Sequence, residues 1–290
     1  MLSKETAEQY SRVWNDLQIF CNASLGRPFI VSSENISLYI AHLDRKHLQP
    51  STIQSHLSAI SFISQLNNFP DPTHCFVVEK MMKSLHKKSS GPDPRLPINC
   101  HLLNRLITSL ANCCSSAYEC ALYRAMYSLA YYALLRAGEC TSSKHVLSIL
   151  NIKQILQAGN LHAIEISFSS FKHSRSRKTA VPSLKIQRRG GQFCPVTTIS
   201  HFLSLRPKSD GPIFITQAGL PVTARHFREK LKIGVSFLSL DPARYNTHSF
   251  RIGRATDMLI EGFSEAQIRA AGRWQSKAFM KYLRPTDISI

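Results

Sequence analysis

The chain has 290 residues, 43% hydrophobic and 19% charged, a composition that folds and that excludes a disordered polar chain. Its 36 lysines and arginines stand against 18 acidic residues, a formal charge of +18, which points to a polyanionic partner, nucleic acid ahead of an anionic membrane surface. No stretch approaches the ~20 apolar residues of a spanning helix, the opening MLSKETAEQY lacks an apolar signal core, and neither CxxC nor HExxH spacing occurs; the expectation is an intracellular protein without metal site or disulfide framework.

Length favours two domains. Tyr10, Val13, Trp14, Leu17, Phe20 and Cys21 recur at three- and four-residue steps behind a Thr6–Gln9 capping box, which predicts an amphipathic helix. Ile36, Tyr39, Ile40 and Leu43 behind Ser32 and Ser33 predict a second. Ile53, Leu57, Ile60 and Ile63 behind Pro50 and Ser51 predict a third, and Val77, Val78, Met81, Met82 and Leu85 a fourth. Residues 1–88 therefore read as a four-helix domain, basic on its polar faces. The stretch KKSSGPDPRLP then combines charge, glycine and three prolines, so 89–97 reads as a linker and 98–290 as the second domain.

In that second part, Leu102, Leu103, Leu106, Ile107 and Leu110 predict one helix. A longer one is expected from about Tyr118 to Ala137, with Arg136 in its last turn and Gly138 as its stop. From His145 to Ile186 the pattern becomes β: Ile164, Ile166 and Phe168 alternate with Glu165 and Ser167, and Ala180-Val181-Pro182 resumes after a basic break. A small antiparallel sheet is expected. Helices return over 196–205, 223–238, 247–261, 264–271 and about 278–283, giving an α+β, mostly helical class.

The string THSFRIGRATDMLIEGFSEAQIRAAGRWQSKAFMKYLRP holds the densest chemistry. With Thr247 as cap, His248 and Arg251 fall three residues apart on one face of a helix start, where backbone N–H groups also attract anions. Gly272 ends the next helix, and Arg273 and Trp274 lead to a last segment that displays Tyr282. Taken singly, each residue has a plainer reading: Arg136 complementing a helix dipole, His248 opening a helix, Lys172 a solvated charge, Trp274 and Tyr282 packing groups. As an ordered set, HxxR, Gly-Arg-Trp and a tyrosine ten residues after that glycine resemble the active-site end of the tyrosine recombinases, the phage-integrase family. Arg136 in LLRAGE resembles the family's first catalytic arginine and Glu139 the acidic residue after it, while Lys172 in FKHSRSRKTAVP resembles its β-hairpin lysine. The N-terminal helices are similar to the family's core-binding domain, and the Gly-Arg-Trp form is most similar to recombinases of eukaryotic mobile elements.

The resemblance implies cleavage and rejoining of DNA strands, as in site-specific recombination or integration, through a 3′-phosphotyrosine. Tyr282 would be the nucleophile, Arg136 and Arg251 the phosphate-binding groups, and His248 a base or phosphate contact. Lys172 would be the acid for the leaving 5′ oxygen, with Arg175, Arg177 and Lys178 also on offer in the same basic run, and Arg273 or Trp274 would be a third phosphate contact. The chemistry fits independently: guanidinium groups place fixed, bidentate positive charge on phosphate oxygens. A phenol ionises near pH 10, so roughly 4 kcal/mol must come from a base or a cationic pocket. The resemblance further implies double-stranded DNA as partner, a homo-tetramer on paired sites from a free monomer, no cofactor and no metal, and a nuclear location in a eukaryotic host. The rival reading is a recombinase-derived DNA binder that no longer cuts; the helix pair over 247–271, with Gly262 between, also reads superficially as a helix-turn-helix.

Overall fold

The computed structural model describes residues 2, 4–24, 26, 29–89, 93–168, 182–191 and 193–284. They form two compact units, Met1–Asp93 and Pro94–Ile290.

The first unit contains α1 (Lys4–Ile19), α2 (Ser33–Arg45), α3 (Pro50–Leu66) and α4 (Phe76–Lys88). α1 begins at Lys4, so Thr6 lies inside its first turn rather than capping it, and a π-helical turn, Phe20–Ser24, carries the stripe on to bury Phe20 and Cys21. Ser32 caps α2 by accepting the Asn35 N–H at 3.2 Å, and Pro50 opens α3 where no backbone donor is needed. One face of each helix meets in a single core that includes Leu17, Ile36, Ile53, Ile60 and Val78. Burying each such side chain contributes about 1.5–3 kcal/mol.

The second unit runs α5 (Cys100–Cys113), α6 (Ala117–Tyr132), α7 (Ala137–Cys140), β1 (Ile152–Gln157), β2 (Asn160–Ser167) and β3 (Ser183–Gln187), then α8 (Pro195–Leu205), α9 (Ala224–Phe237), α10 (Thr247–Ile260) and α11 (Glu265–Ala271). A 3-10 turn, Lys277–Tyr282, follows. The strands form the expected small antiparallel sheet in the order β1-β2-β3, with Ile166 opposite Ile152 on one side and Leu184 on the other. The β1–β2 hairpin turns at Ala158 and Gly159, both with positive φ, as a tight twisted hairpin requires. α6 is the hub: every residue from Ala121 to Tyr131 except Arg124 is buried, and Tyr127 packs on Phe250 of α10 at 5.2 Å between ring centres. The chain leading into α5 is tied to α10 and the loop before it, since Leu96 N–H donates to Arg244 O at 2.8 Å and Ile98 N–H to Ser249 O at 2.9 Å. Gly253 permits this approach; a Cβ there would stand 1.8 Å from the Ile98 carbonyl oxygen.

Two helix ends differ from the sequence reading in ways that shape the site. α6 stops at Tyr132, not near Ala137. Leu134 takes the left-handed conformation (φ 48°), and its N–H and that of Leu135 bond back to Tyr131 O and Ala130 O, both at 3.1 Å, closing a Schellman turn on a leucine. Arg136 is therefore the residue that caps α7, and its own N–H donates to Glu139 Oε2 at 2.8 Å. The cap of α10 is Asn246 rather than Thr247: its side chain accepts the His248 N–H at 2.8 Å, and Ser249 Oγ accepts the Asn246 N–H at 3.1 Å. An amide oxygen one residue earlier satisfies the orphan donors better than the β-branched hydroxyl, which instead starts the helix.

Candidate active site

Three guanidinium groups converge where the α6–α7 turn, α10 and the α11 terminus meet. Arg251 of α10 is 1% exposed; its Nη1 donates to Leu134 O, and its Nη2 to Gly272 O at 3.0 Å. Arg273 is turned inward by its left-handed backbone (φ 54°). Its Nη2 donates to Glu139 Oε2 at 2.7 Å and to Leu134 O at 3.3 Å, its Nη1 to Ala133 O and Ala271 O, and its guanidinium lies 3.7 Å from the Phe168 ring centre. Arg136 is the most open of the three, its side chain 19% exposed, with Nη1 3.3 Å from Glu139 Oε1 and Nη2 3.2 Å from Arg273 O.

Three guanidiniums face one carboxylate, Glu139, itself 1% exposed. Two positive charges are left over, and only the Arg136 side chain is partly open to solvent. The consequence is electrostatic: burial first, then the Arg136 and Arg273 charges, hold the Arg251 guanidinium below the usual arginine range, and burial does the same to Arg273 despite the opposing Glu139 charge. An arriving dianion or diester would relieve exactly this repulsion. The Nε atoms of Arg251 and Arg273 are buried with no acceptor among the described residues.

Aromatic rings cover the cluster. Trp274 lies 4.4 Å from the Arg251 guanidinium carbon and Tyr282 lies 5.7 Å from it, with the two rings 5.3 Å apart. Gly272 is what allows the indole this close, since a Cβ there would fall 1.7 Å from the ring. The His248 ring stands 6.4 Å from that of Tyr282. The Tyr282 segment is pinned at two points. Phe279, 2% exposed, packs in a small core with Leu134, Ala255, Met258 and Ile268, and Thr256 Oγ1 of α10 donates to Tyr282 O at 3.1 Å.

The structure thus gathers Arg136, His248, Arg251, Arg273, Trp274 and Tyr282 around one spot, whereas Lys172 lies outside the described residues. Between the two neighbours after Gly272, Arg273 faces the interior and Trp274 the cluster's cover. Phe168 and Thr256, which support Arg273 and Tyr282, are not singled out by the sequence; Phe168 reads there only as one more residue of strand alternation, and Thr256 carries no local signal.

A helical first unit and an α+β second unit with a three-stranded antiparallel sheet match the fold of the tyrosine recombinases. No family profile matches the chain. In sequence it is 21% identical over 299 aligned residues to the recombinase Cre of Escherichia phage P1, covering 98% of this chain and 85% of that protein. In structure it is similar to the integrase of transposon Tn1549 (residues 82–397), solved in complex with circular intermediate DNA, with a TM-score of 0.65 at 13% identity over 98% of this chain and 90% of that one. It is also similar to the site-specific recombinase XerH bound to its difH substrate, with a TM-score of 0.59 at 14% identity over 96% and 76%, and to a lambda integrase dimer bound to a core site, with 0.57 at 11% over 98% and 73%. The chain thus shares the fold of tyrosine recombinases and integrases and is similar in sequence to one of them.

Proposed function

We propose that the protein cuts and rejoins duplex DNA strands by transient attachment to Tyr282, as a site-specific recombinase. The observation that carries this reading is the buried guanidinium cluster with its uncompensated charge, directly beneath the Tyr282 ring. In the proposed step the Tyr282 oxygen attacks the scissile phosphorus, the bond from phosphorus to the 5′ oxygen breaks, and a 3′-phosphotyrosine forms. Arg136 and Arg251 hold the non-bridging oxygens as charge builds on them. His248 takes the phenolic proton or bonds the phosphate, and Trp274 completes the phosphate pocket, while Arg273 acts from behind by fixing Glu139 and Leu134. Lys172 delivers a proton to the departing 5′ oxygen. The ester bond is conserved in the intermediate, so a second 5′ hydroxyl can displace the tyrosine with no nucleotide cofactor. The guanidiniums supply the charge that a divalent ion would otherwise provide, so the reaction is metal-independent. Four protomers on two paired sites would complete an exchange, after assembly from free monomers.

The test is covalent trapping on supercoiled plasmid and nicked duplex pools in EDTA, resolved on a denaturing gel. The wild type is expected to form an adduct and Tyr282→Phe none. Salt-sensitive DNA binding without any adduct would favour a non-catalytic binder.

A further inference from the structure

Beyond the cluster itself, α10 carries a carboxylate that the proposed chemistry does not use. Asp257 lies six residues after Arg251, and its Oδ2 accepts two donors: the Cys100 N–H at the start of α5, at 2.8 Å, and the hydroxyl of Tyr131. The α5 end already has a cap of its own, Asn99 accepting the Leu102 N–H at 2.9 Å, so capping alone does not account for a carboxylate here. Asp257 is only partly buried, yet even partial removal of a carboxylate from water is costly unless its donors repay it. Tyr131 is the informative partner. It is fully buried, and Arg254, 6% exposed and paired with Glu261 at 2.7 Å, lies 5.6 Å from its ring centre.

Tyr131 is fastened at both ends. Its hydroxyl is held by Asp257, and its carbonyl oxygen accepts the Leu134 N–H that closes the turn at the end of α6. The Leu134 carbonyl in turn accepts from both Arg251 and Arg273. Hydrogen bonds therefore run in a closed circuit from Asp257 through Tyr131 and Leu134 to Arg251, and both ends of the circuit stand on α10. The circuit sets where the Leu134 carbonyl sits, and Leu134 holds a left-handed backbone that a leucine adopts only when its surroundings enforce it.

We propose that Asp257 is a positioning residue for the reaction: acting through Tyr131, it fixes the Leu134 carbonyl and so the alignment of Arg251 and Arg273. The proposal rests on the reading of the site given above. A charged acceptor is needed because it serves two donors at one oxygen with stronger, shorter bonds than an amide would make.

The test uses the full chain with Tyr131→Phe, which removes only the hydroxyl, and Asp257→Asn, with Ile199→Val in the α8 core as a mildly destabilised control. Three quantities are read: single-turnover adduct formation on nicked duplex DNA, equilibrium affinity for the same DNA, and Trp274 emission in a Trp14→Phe background. Tyr131→Phe and Asp257→Asn are expected to slow adduct formation roughly 10- to 100-fold, the scale of a small misalignment of reacting groups. DNA affinity stays unchanged, Trp274 emission shifts, and Ile199→Val leaves all three at wild-type values. A wild-type rate and unshifted emission in Tyr131→Phe would overturn the proposal, as would an equal loss of rate in Ile199→Val. If the wild type forms no adduct on any DNA, the functional reading fails, and the proposal is then decided by Trp274 emission and its response to inorganic phosphate: altered in Tyr131→Phe it stands, unaltered it falls.

Discussion

Replacing Glu139 by glutamine keeps the shape of the side chain and removes the one negative charge among three guanidiniums. The carboxylate is 1% exposed and serves the Arg136 N–H at 2.8 Å, Arg136 Nη1 at 3.3 Å and Arg273 Nη2 at 2.7 Å. A glutamine offers one acceptor oxygen and turns an NH2 group toward at least one of these donors. Removing one partner of a buried ion pair costs about 3–5 kcal/mol. The Arg136 side chain is partly open to solvent, so that half of the loss is screened, while the Arg273 side chain, 5% exposed, is not. The lower end, about 3 kcal/mol, is therefore the expectation. A domain of this size loses about 2–4 °C of Tm per kcal/mol, so melting should fall by about 6–12 °C. The variant also leaves three positive charges without a counterion where the wild type leaves two. Inorganic phosphate should consequently raise the Tm of Glu139→Gln more than that of the wild type. Differential scanning calorimetry with and without phosphate measures both quantities. A fall under about 2 °C, with equal phosphate stabilisation of both proteins, would refute the electrostatic account.

Gly253→Ala brings a methyl to within 1.8 Å of the Ile98 carbonyl oxygen, where neither backbone can yield without parting α10 from the segment that enters α5. The cost should reach the top of the ~1–3 kcal/mol overpacking range, again about 6–12 °C of Tm, and a loss under about 2 °C would mean the contact is looser than described. Gly272→Ala is different in kind: its backbone (φ −82°) suits alanine, so the strain falls on the Trp274 indole, which should leave Arg251 and Tyr282. In a Trp14→Phe background Trp274 emission should shift and adduct formation slow roughly 10- to 100-fold; unchanged emission would contradict the packing. In the first unit, burial raises the Asp71 carboxyl. The bonds from Ser61 Oγ (2.5 Å), Thr73 N (3.0 Å), Thr73 Oγ1 (2.7 Å) and Gln65 Nε2 (3.0 Å) outweigh that and hold it down at about 2, below its ordinary 3.8. A depressed carboxyl contributes stability above its unfolded value that is lost as pH falls through the folded one. The urea midpoint difference between wild type and Asp71→Asn should thus be full at pH 6 and shrink between about pH 4 and pH 2; a difference constant across that window would contradict it.

Apolar periodicity located most of the helices because they bury one stripe, although α6 is buried on nearly every side, and α2, α9 and α11 carry a side-chain cap at Ser32, Thr223 and Ser264, close to the starts that spacing suggests. The end of α6 was hidden because its stop signal is a leucine. Gly138 looks like the terminator, yet tertiary contacts force the left-handed residue onto Leu134, where the cost of about 1–2 kcal/mol is offset by the guanidinium bonds to its carbonyl. That displacement moves Arg136 from a helix end to a helix start and decides which way it points. His248 and Arg251 were legible because helical spacing brings them together, and Trp274 and Tyr282 because they follow closely on the same string. Arg273 and Trp274 could not be told apart by sequence, since only the positive φ at 273 turns one inward and the other over the cluster. Buried arginines with other tasks gave no sign at all. Arg206, 7% exposed, holds the loop after α8 through the Ile213, Pro207, Ser209 and Pro212 carbonyls, and nothing in its neighbourhood in sequence distinguishes it from Arg251.

The central claim is that the phenol above the guanidinium cluster becomes the covalent anchor for DNA. It is tested most directly by digesting the trapped complex with nuclease and protease and mapping the nucleotide-bearing peptide by mass spectrometry. The account predicts a single modified peptide carrying the nucleotide on Tyr282, lost in Tyr282→Phe and formed in EDTA. A nucleotide on any other residue, or none at all from a protein that still binds the same DNA, would contradict it.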